Sequence, residues 1–393
     1  MSIEDPIVIV GMARTPLGGL MGDLAAVTAP ALGATAIAAA VARAGLAPDM
    51  VEEVLMGCVL PAGLGQAPAR QAGLGAGLPL SAGATTVNKM CGSGMKAAML
   101  AHDLVLAGSA NIVVAGGMES MTNAPYLLNR ARGGYRMGHG AIRDHMFLDG
   151  LEDAYDKGRL MGTFAEDCAA EFAFTREDQD SYALTSLERA KAAIASGAFE
   201  AEIAPVTVAG RPDPVAIDEQ PGKARPEKIR HLKPAFRSGG TVTAANASSI
   251  SDGAAAMLLM RRSVAEARGL TPLAVIRGHA THAQAAARFA TAPIGAMEAL
   301  SARTGWALRD IDLFEINEAF AVVAMAAMRS LNLPYDKVNI HGGACALGHP
   351  IGASGARIIV TLLSALQRHG LRRGVASVCI GGGEATAIAL ERV

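Results

Sequence analysis

The sequence predicts an α/β protein built from two copies of one βαβαβ-type unit, separated by an inserted loop region. Three observations carry this prediction. Short aliphatic runs of strand character alternate with Ala-rich runs of helix character, in the order expected of a sheet with helical crossovers. The same order occurs twice with matched spacing: 35 residues separate Met56 from Cys91, and 33 separate Ile316 from His349. Between the copies the pattern gives way to a more charged stretch with Pro/Gly clusters at Gly210–Pro214 and Gln220–Pro226.

The elements follow in chain order. Pro6–Val10 is an aliphatic strand closed by Gly11. Pro30–Gly45 is Ala-rich with proline in its first turn and glycine at its end, the asymmetry of a helix. Asp49–Met56 supplies an acidic lead-in and a second strand, and Ala84–Asn88 a third, rich in β-branched residues. MKAAMLAHDLVLAG, with apolar or small residues at Met95, Ala98, Met99 and Leu106, is a helix stopped at Gly108. Asn111–Ala115 is a buried-type strand ended by Gly116–Gly117. The second copy repeats this: strand Leu273–Arg277, helix Pro293–Thr304, strand Asp310–Ile316 and strand Val338–Ile340. A helix striped by Ile358, Ile359, Leu362, Leu363 and Leu366 follows, then strand Val375–Ile380 and the glycines Gly381–Gly383. The strands are expected to run largely parallel. In the intervening span one helix is clear, with Thr175 as its cap, Asp178 three residues on, and Gly197 at its end. The expected division is a first core unit over 1–118, an inserted loop domain over 119–247, a return to the first core over 248–270, and a second core unit over 271–393.

At 393 residues with half of them apolar, the chain is long enough for two or three domains sharing large cores. The formal net charge of −1 and the absence of a basic block argue against nucleic acid as a partner. No apolar run approaches membrane-spanning length, and the N-terminal MSIEDPIVIV is acidic where a leader would be basic. The expectation is a cytoplasmic protein without a membrane partner. The five cysteines form no C-x-x-C pair, so neither a disulfide framework nor a zinc ribbon is indicated. Cys345 and His349 stand four apart without a second ligand pair, and no metal site is expected.

The stretch Val87–Gly94, VNKMCGSG, places Cys91 in a Gly/Ser turn between strand and helix. Unpaired N–H groups and the positive end of the helix dipole favour thiolate there, lowering a pKa of about 8.5 in free cysteine. Local sequence leaves both a reactive thiol and a small buried hydrophobe open. Cys91, Asn317, His349 and Cys379 all fall at the carboxyl ends of strands, where open α/β sheets place ligands. The Gly-rich GHPIGASG has neither a Walker lysine nor G-x-G-x-x-G spacing, so nucleotide-cofactor use is rejected.

NKMCGSG around Cys91, NEAFA at Asn317, GGACALGHPIGASG around His349 and CIGGG at Cys379 together resemble the signature motifs of the thiolases. The resemblance is to the acetyl-CoA C-acetyltransferase branch and runs end to end. It includes GGMESM at Gly116–Met121, MGTFAED at Met161–Asp167, KPAF at Lys233–Phe236 and NASSISDGAAA at Asn246–Ala256. It implies mixed sheets in an α/β/α/β/α layering and a reversible Claisen condensation of two acetyl-CoA to acetoacetyl-CoA and CoA. In that scheme Cys91 carries the acyl group and His349 takes its proton. Cys379 removes the α-proton, and Asn317 with a bound water and His349 stabilises the enolate. The N–H groups of Cys91 and Gly381 form a second oxyanion hole. Ser248 corresponds to a pantetheine contact, and Met161, Phe236, Phe289, Ala319 and Phe320 to the acyl and pantetheine tunnel. Glu318 is expected to orient rather than to act as base.

Coenzyme A enters as substrate carrier, and no other cofactor is implied. Tyr126–Asp149 resembles the family's oligomerisation loop, implying a homotetramer built as a dimer of dimers. Leu160 stands where histidine is common, Phe289 where methionine is expected, and Cys345 replaces an aliphatic residue. These departures leave a longer-chain 3-ketoacyl-CoA thiolase as the alternative. A non-catalytic acyl-CoA-binding relative is weakened by the presence of all four reactive-type residues.

Overall fold

A computed structural model describes residues 4–393, so the first three residues of the acidic N-terminal stretch lie outside the described ones. The strands in chain order are β1 (Ile7–Arg14), β2 (Gly18–Gly19), β3 (Glu53–Gly57), β4 (Gly83–Val87), β5 (Val113–Ser120), β6 (Tyr126–Leu128), β7 (Ile142–Asp144), β8 (Ser251–Arg261), β9 (Ala274–Ala283), β10 (Leu313–Ile316), β11 (Arg373–Ile380) and β12 (Glu384–Arg392). All but the small β6–β7 hairpin belong to one mixed sheet in the order β10-β11-β12-β9-β1-β8-β5-β3-β4, with β2 attached to β8.

The duplication is visible in this order. Outward from the β1/β9 junction one half runs β1-β8-β5-β3-β4 and the other β9-β12-β11-β10, followed by Val338, which bridges to Phe314 in parallel. The junction itself is narrow, with Val8 opposite Val275 and Ile9 opposite Ala274. Apolar residues of both halves meet around two central helices, Ser93–Ala107 and Ile351–Arg368. Helix Ala29–Ala44 covers the outer face of the first half, and helices Ala292–Thr304 and Ala321–Leu331 that of the second. The central helices cross where neither chain has a side chain to spare. A Cβ on Gly94 would stand 2.8 Å from the Ala356 nitrogen, and one on Gly355 2.5 Å from the Met95 nitrogen. Backbones this close need glycine.

Several expectations are corrected. Only β3/β4, β3/β5 and β10/β11 pair in parallel; the other main-sheet pairs are antiparallel. The reason in the second half is Gly381–Gly383, which returns the chain directly into β12; so short a connection permits only an antiparallel neighbour. β1 does not stop at Gly11 but shifts register there and continues to Arg14. β5 likewise runs through Gly116–Gly117, whose missing Cβ atoms would lie 2.1 Å from the Ala255 oxygen and 2.2 Å from the Gly352 oxygen. These glycines permit close approach and do not break the strand. The expected strand Val338–Ile340 reduces to the single Val338 bridge.

The span 119–247 holds helix Met161–Glu171 as well as the expected one, Arg176–Ala195. The latter opens with the predicted capping box: the Asp178 N–H donates to Thr175 Oγ1 (3.1 Å) and the Thr175 N–H to Asp178 Oδ2 (2.9 Å). No helix among the described residues is long and apolar enough to cross a membrane.

Candidate active site

Cys91 follows β4 and lies one residue before the N-cap of helix Ser93–Ala107. Its turn is tight. The Gly92 N–H donates to the Lys89 oxygen, and Lys89 N–H donates to Ser93 Oγ (2.8 Å), whose hydroxyl donates to the Met90 oxygen (2.6 Å). Met90 is held at φ 47°, a left-handed conformation that costs a side-chain-bearing residue of order 1 kcal/mol or more. From this turn Cys91 lines the cavity while also packing against the core.

Asn317 immediately follows β10, while Cys379 lies in β11 with Gly381 just past its end. His349 sits between the turn Ala344–Leu347 and helix Ile351–Arg368. Ser354, in the first turn of that helix, donates its hydroxyl proton to the Pro350 oxygen (2.9 Å), so its oxygen accepts from His349 Nδ1–H at 2.5 Å. This leaves His349 Nε2 as the unprotonated face. Asn317 Nδ2 approaches it at 3.5 Å, and Asn317 Oδ1 is buried without a protein partner. Burial, with the positive charge of Arg357 nearby, pushes the His349 pKa down to about 3, so the imidazole is neutral.

The thiols behave differently from the sequence expectation. Burial pushes Cys91 up to about 11 and outweighs the N–H groups of Gly381 and Cys91 itself, which favour thiolate. The helix end therefore does not create a resident thiolate, and Cys91 rests as a thiol in the cavity that neutral His349 also lines. Burial, reinforced by Cys91, also raises Cys379 well above its ordinary value. Iodoacetamide alkylation of Cys91 is accordingly expected to accelerate about tenfold per pH unit from pH 7 to 9 without a plateau, because thiolate is the minor form throughout. A plateau centred below pH 8 would show a stabilised thiolate and refute this resting state.

Cys91, His349 and Gly381 open onto a cavity of about 600 Å³, whose lining includes the five residues expected in the tunnel, Met161, Phe236, Phe289, Ala319 and Phe320, and the expected pantetheine contact Ser248. Asn317 and Cys379 are buried behind it. Phe236, Phe289 and Phe320 give its lining an aromatic part, with Phe289 edge-on to Phe320 (6.2 Å between ring centroids) and, outside the lining, to Phe164 (6.4 Å), and Phe320 edge-on to Phe236 (5.8 Å). A Cβ on Gly381 would meet nothing closer than Met161 Cε at 3.8 Å, so its free space belongs to whatever fills the cavity.

Glu318 does not face this space. Its carboxylate accepts from Tyr182 Oη (2.9 Å), Ser186 Oγ (2.8 Å), Asn339 Nδ2 (2.8 Å) and the Cys345 N–H (3.0 Å), which ties the two sides of the His349 loop together. Two supporting residues escaped sequence reasoning. Ser354 was visible as the serine five residues after His349 in GHPIGASG, but its role depends on the helix turn. Glu119 accepts from the N–H groups of Val59 (2.9 Å), Leu60 (3.2 Å) and Gly352 (2.9 Å), and burial lifts it to about 7. It joins the loop after β3 to the start of the helix behind His349.

A duplicated α/β frame that gathers two cysteines, a neutral histidine and an amide in and behind one largely apolar cavity defines a narrow class of protein. The family description "Thiolase, N-terminal domain" matches residues 7–263, and "Thiolase, C-terminal domain" matches residues 270–392. Acetyl-CoA acetyltransferase 2 of Arabidopsis thaliana is 52% identical over 391 residues, covering 98% of this chain and 96% of the relative. Acetyl-CoA acetyltransferase of Cupriavidus necator is 49% identical over 390 residues, covering 98% and 99%. Among solved structures, the Acat5 thiolase from Ascaris suum in complex with coenzyme A superposes with a TM-score of 0.94 at 40% identity, covering 99% of this chain and 100% of that one. The acetyl-CoA acetyltransferase of Bacillus anthracis gives 0.95 at 40% identity, covering 99% of each chain. The chain belongs to the thiolase family.

Proposed function

We propose that this protein is an acetyl-CoA acetyltransferase, condensing two acetyl-CoA to acetoacetyl-CoA and CoA and catalysing the reverse thiolysis. The observation that carries the reading is Cys91, within hydrogen-bond reach of the Gly381 N–H, lining one apolar cavity together with His349. The relatives named acetyl-CoA acetyltransferase, about half identical over nearly the whole chain, support it.

In this scheme His349 Nε2 takes the Cys91 proton as Sγ attacks the acetyl carbon of the first acetyl-CoA. The oxyanion forms against the N–H groups of Cys91 and Gly381. CoA leaves, its sulfur taking the proton of Cys379, and the acetyl group stays on Cys91. The Cys379 thiolate then removes an α-proton from the second acetyl-CoA. The enolate oxygen is held by protonated His349 and by a water on Asn317, whose unpartnered buried Oδ1 is suited to hold one. The enolate attacks the acetyl-Cys91 carbonyl carbon. Cys91 departs and recovers its proton from His349, which restores the starting state. Coenzyme A is the carrier on both substrates, and this chain's own groups carry every proton.

The aromatic wall of Phe289, Phe320 and Phe236, with Phe164 packed against Phe289, supports a short acyl chain, because three edge-on ring contacts leave little slack for repacking. The test is CoA-dependent thiolysis of acetoacetyl-CoA against 3-ketooctanoyl-CoA, compared as kcat/KM. At least a tenfold preference for acetoacetyl-CoA is expected. Equal or better turnover of the longer substrate would assign the protein to the degradative, longer-chain thiolases.

The remaining parts of the reading concern organisation. Residues 119–247 are the loop domain that closes over the pantetheine arm, since Met161 and Phe236 from this span line the cavity. The hairpin β6–β7 and its tip expose Tyr126, Leu128, Met137 and Ile142, apolar surface that suits assembly into a dimer of dimers. Five free cysteines suit the reducing cytoplasm.

A further inference from the structure

A second group of chemically competent side chains lies outside the cavity. His102 and Asp103 are in helix Ser93–Ala107, the helix that begins beside Cys91, and His279 is in β9, the first strand of the second copy. His102 Nδ1 lies 3.1 Å from Asp103 Oδ1, and His279 Nε2 lies 2.9 Å from the same oxygen. One ligand atom from each residue falls within 4.8 Å of the others. The two rings meet edge to face, 5.1 Å between centroids, which turns a nitrogen of each toward the carboxylate. Adjacent ligands on a divalent transition metal with bonds of about 2.0–2.2 Å stand roughly 3–3.4 Å apart, close to the two imidazole–carboxylate spacings already present.

The geometry points to a two-histidine, one-carboxylate site for a borderline divalent transition metal such as Zn²⁺, with His102 Nδ1, Asp103 and His279 Nε2 as ligands and water completing the shell. The site opens to solvent through Asp103, whose side chain is half exposed, while both histidines are largely covered. Arg303 donates to the His279 backbone oxygen at 2.6 Å, so one fixed cation stands near and the Asp103 charge works against it.

The ligands come from both copies of the fold. The first two lie at least 176 positions from the third along the chain, yet β1 and β9 meet only over a short ladder. A bound ion would therefore clamp the nucleophile-bearing helix of one half to the sheet of the other. Because it would bind the folded state and not the open chain, it would raise stability in proportion to the logarithm of its concentration over its Kd. The sequence expectation of no metal rested on ligands close in sequence, and this set is assembled only by folding.

The test is calorimetric titration of the chelator-dialysed full-length protein with Zn²⁺, paired with Co²⁺ absorption spectra that separate this site from the active-site thiols. One saturable equivalent is expected, with a cobalt spectrum free of thiolate charge-transfer bands. H279A and D103N should each weaken binding at least tenfold, about 1.4 kcal/mol, and should abolish the rise in thermal midpoint produced by saturating Zn²⁺. D103N alters a half-exposed side chain isosterically and so tests the site even if H279A folds poorly. Absence of saturable binding, thiolate bands in the cobalt complex, or unchanged affinity in D103N would show that the three residues form only a hydrogen-bonded staple.

Discussion

Replacing Cys91 by alanine is expected to lower kcat/KM for acetoacetyl-CoA thiolysis by roughly 10⁴-fold or more, because no other group at the cavity replaces a covalent acyl carrier. Cys379→Ala should behave differently. Its loss removes the proton relay to and from the α-carbon, a general acid–base contribution of roughly 10²–10⁴-fold, but leaves Cys91, His349 and the two N–H donors in place. Incubation of Cys379→Ala with acetyl-CoA should therefore leave a protein one acetyl group heavier by intact mass spectrometry, with the label on Cys91. Cys91→Ala should show no such adduct. An acetyl group found on Cys379 in Cys91→Ala, at a rate comparable to wild-type turnover, would reverse the two assignments. The neutral resting pair of Cys91 and His349 makes the same point electrostatically: the proton moves when the substrate is present, not before.

Arg14→Met is expected to destabilise the fold by about 3–5 kcal/mol, the cost of leaving buried charge without its partner. Arg14 is completely buried at the end of β1. Its Nε donates to Glu202 Oε1 (2.5 Å), and Nη1 and Nη2 donate to the two oxygens of Asp218 (2.7 and 2.8 Å). Asp218 in turn accepts the Leu17 N–H (2.8 Å), so one side chain fastens the inserted span to the first strand of the core. The fall in thermal midpoint should be partly recovered in the triple variant with Glu202→Gln and Asp218→Asn, which removes the stranded carboxylates together with their counter-ion. A midpoint for Arg14→Met within a degree of wild type would show that the cluster carries little of the stability.

How much of this was legible beforehand depended on how local each feature is. Helix Arg176–Ala195 announced itself because a capping box is closed within four residues, and helix Ile351–Arg368 because its apolar stripe recurs at helical spacing from Ile358 to Leu366. The parallel core strands were found, being short aliphatic runs between turn signals. β8 and β12 were not assigned. Their Ala-rich runs, SDGAAAMLLMR and EATAIALER, carry no strand signature until neighbouring backbones supply the hydrogen bonds. Gly11, Gly116 and Gly117 were read as stops for the same reason: a glycine that ends a strand and one that admits another backbone look alike in sequence.

At the site, sequence by itself determined which chemistry is present. Cys91, Asn317, His349 and Cys379 could be placed at strand ends because strand, turn and helix follow one another locally, and the thiolase resemblance attached roles to them. Only the tertiary structure decided the state of those groups. Burial overrides the helix end at Cys91, and Ser354 chooses the tautomer of His349. Glu318 is removed from contention by four donors drawn from residues 182 to 345. His102, Asp103 and His279 come together only when the two copies pack. The division has one physical reason. Backbone preference is settled within a few residues, whereas desolvation, tautomer and ligand geometry depend on atoms that are distant in the chain and near only in the fold.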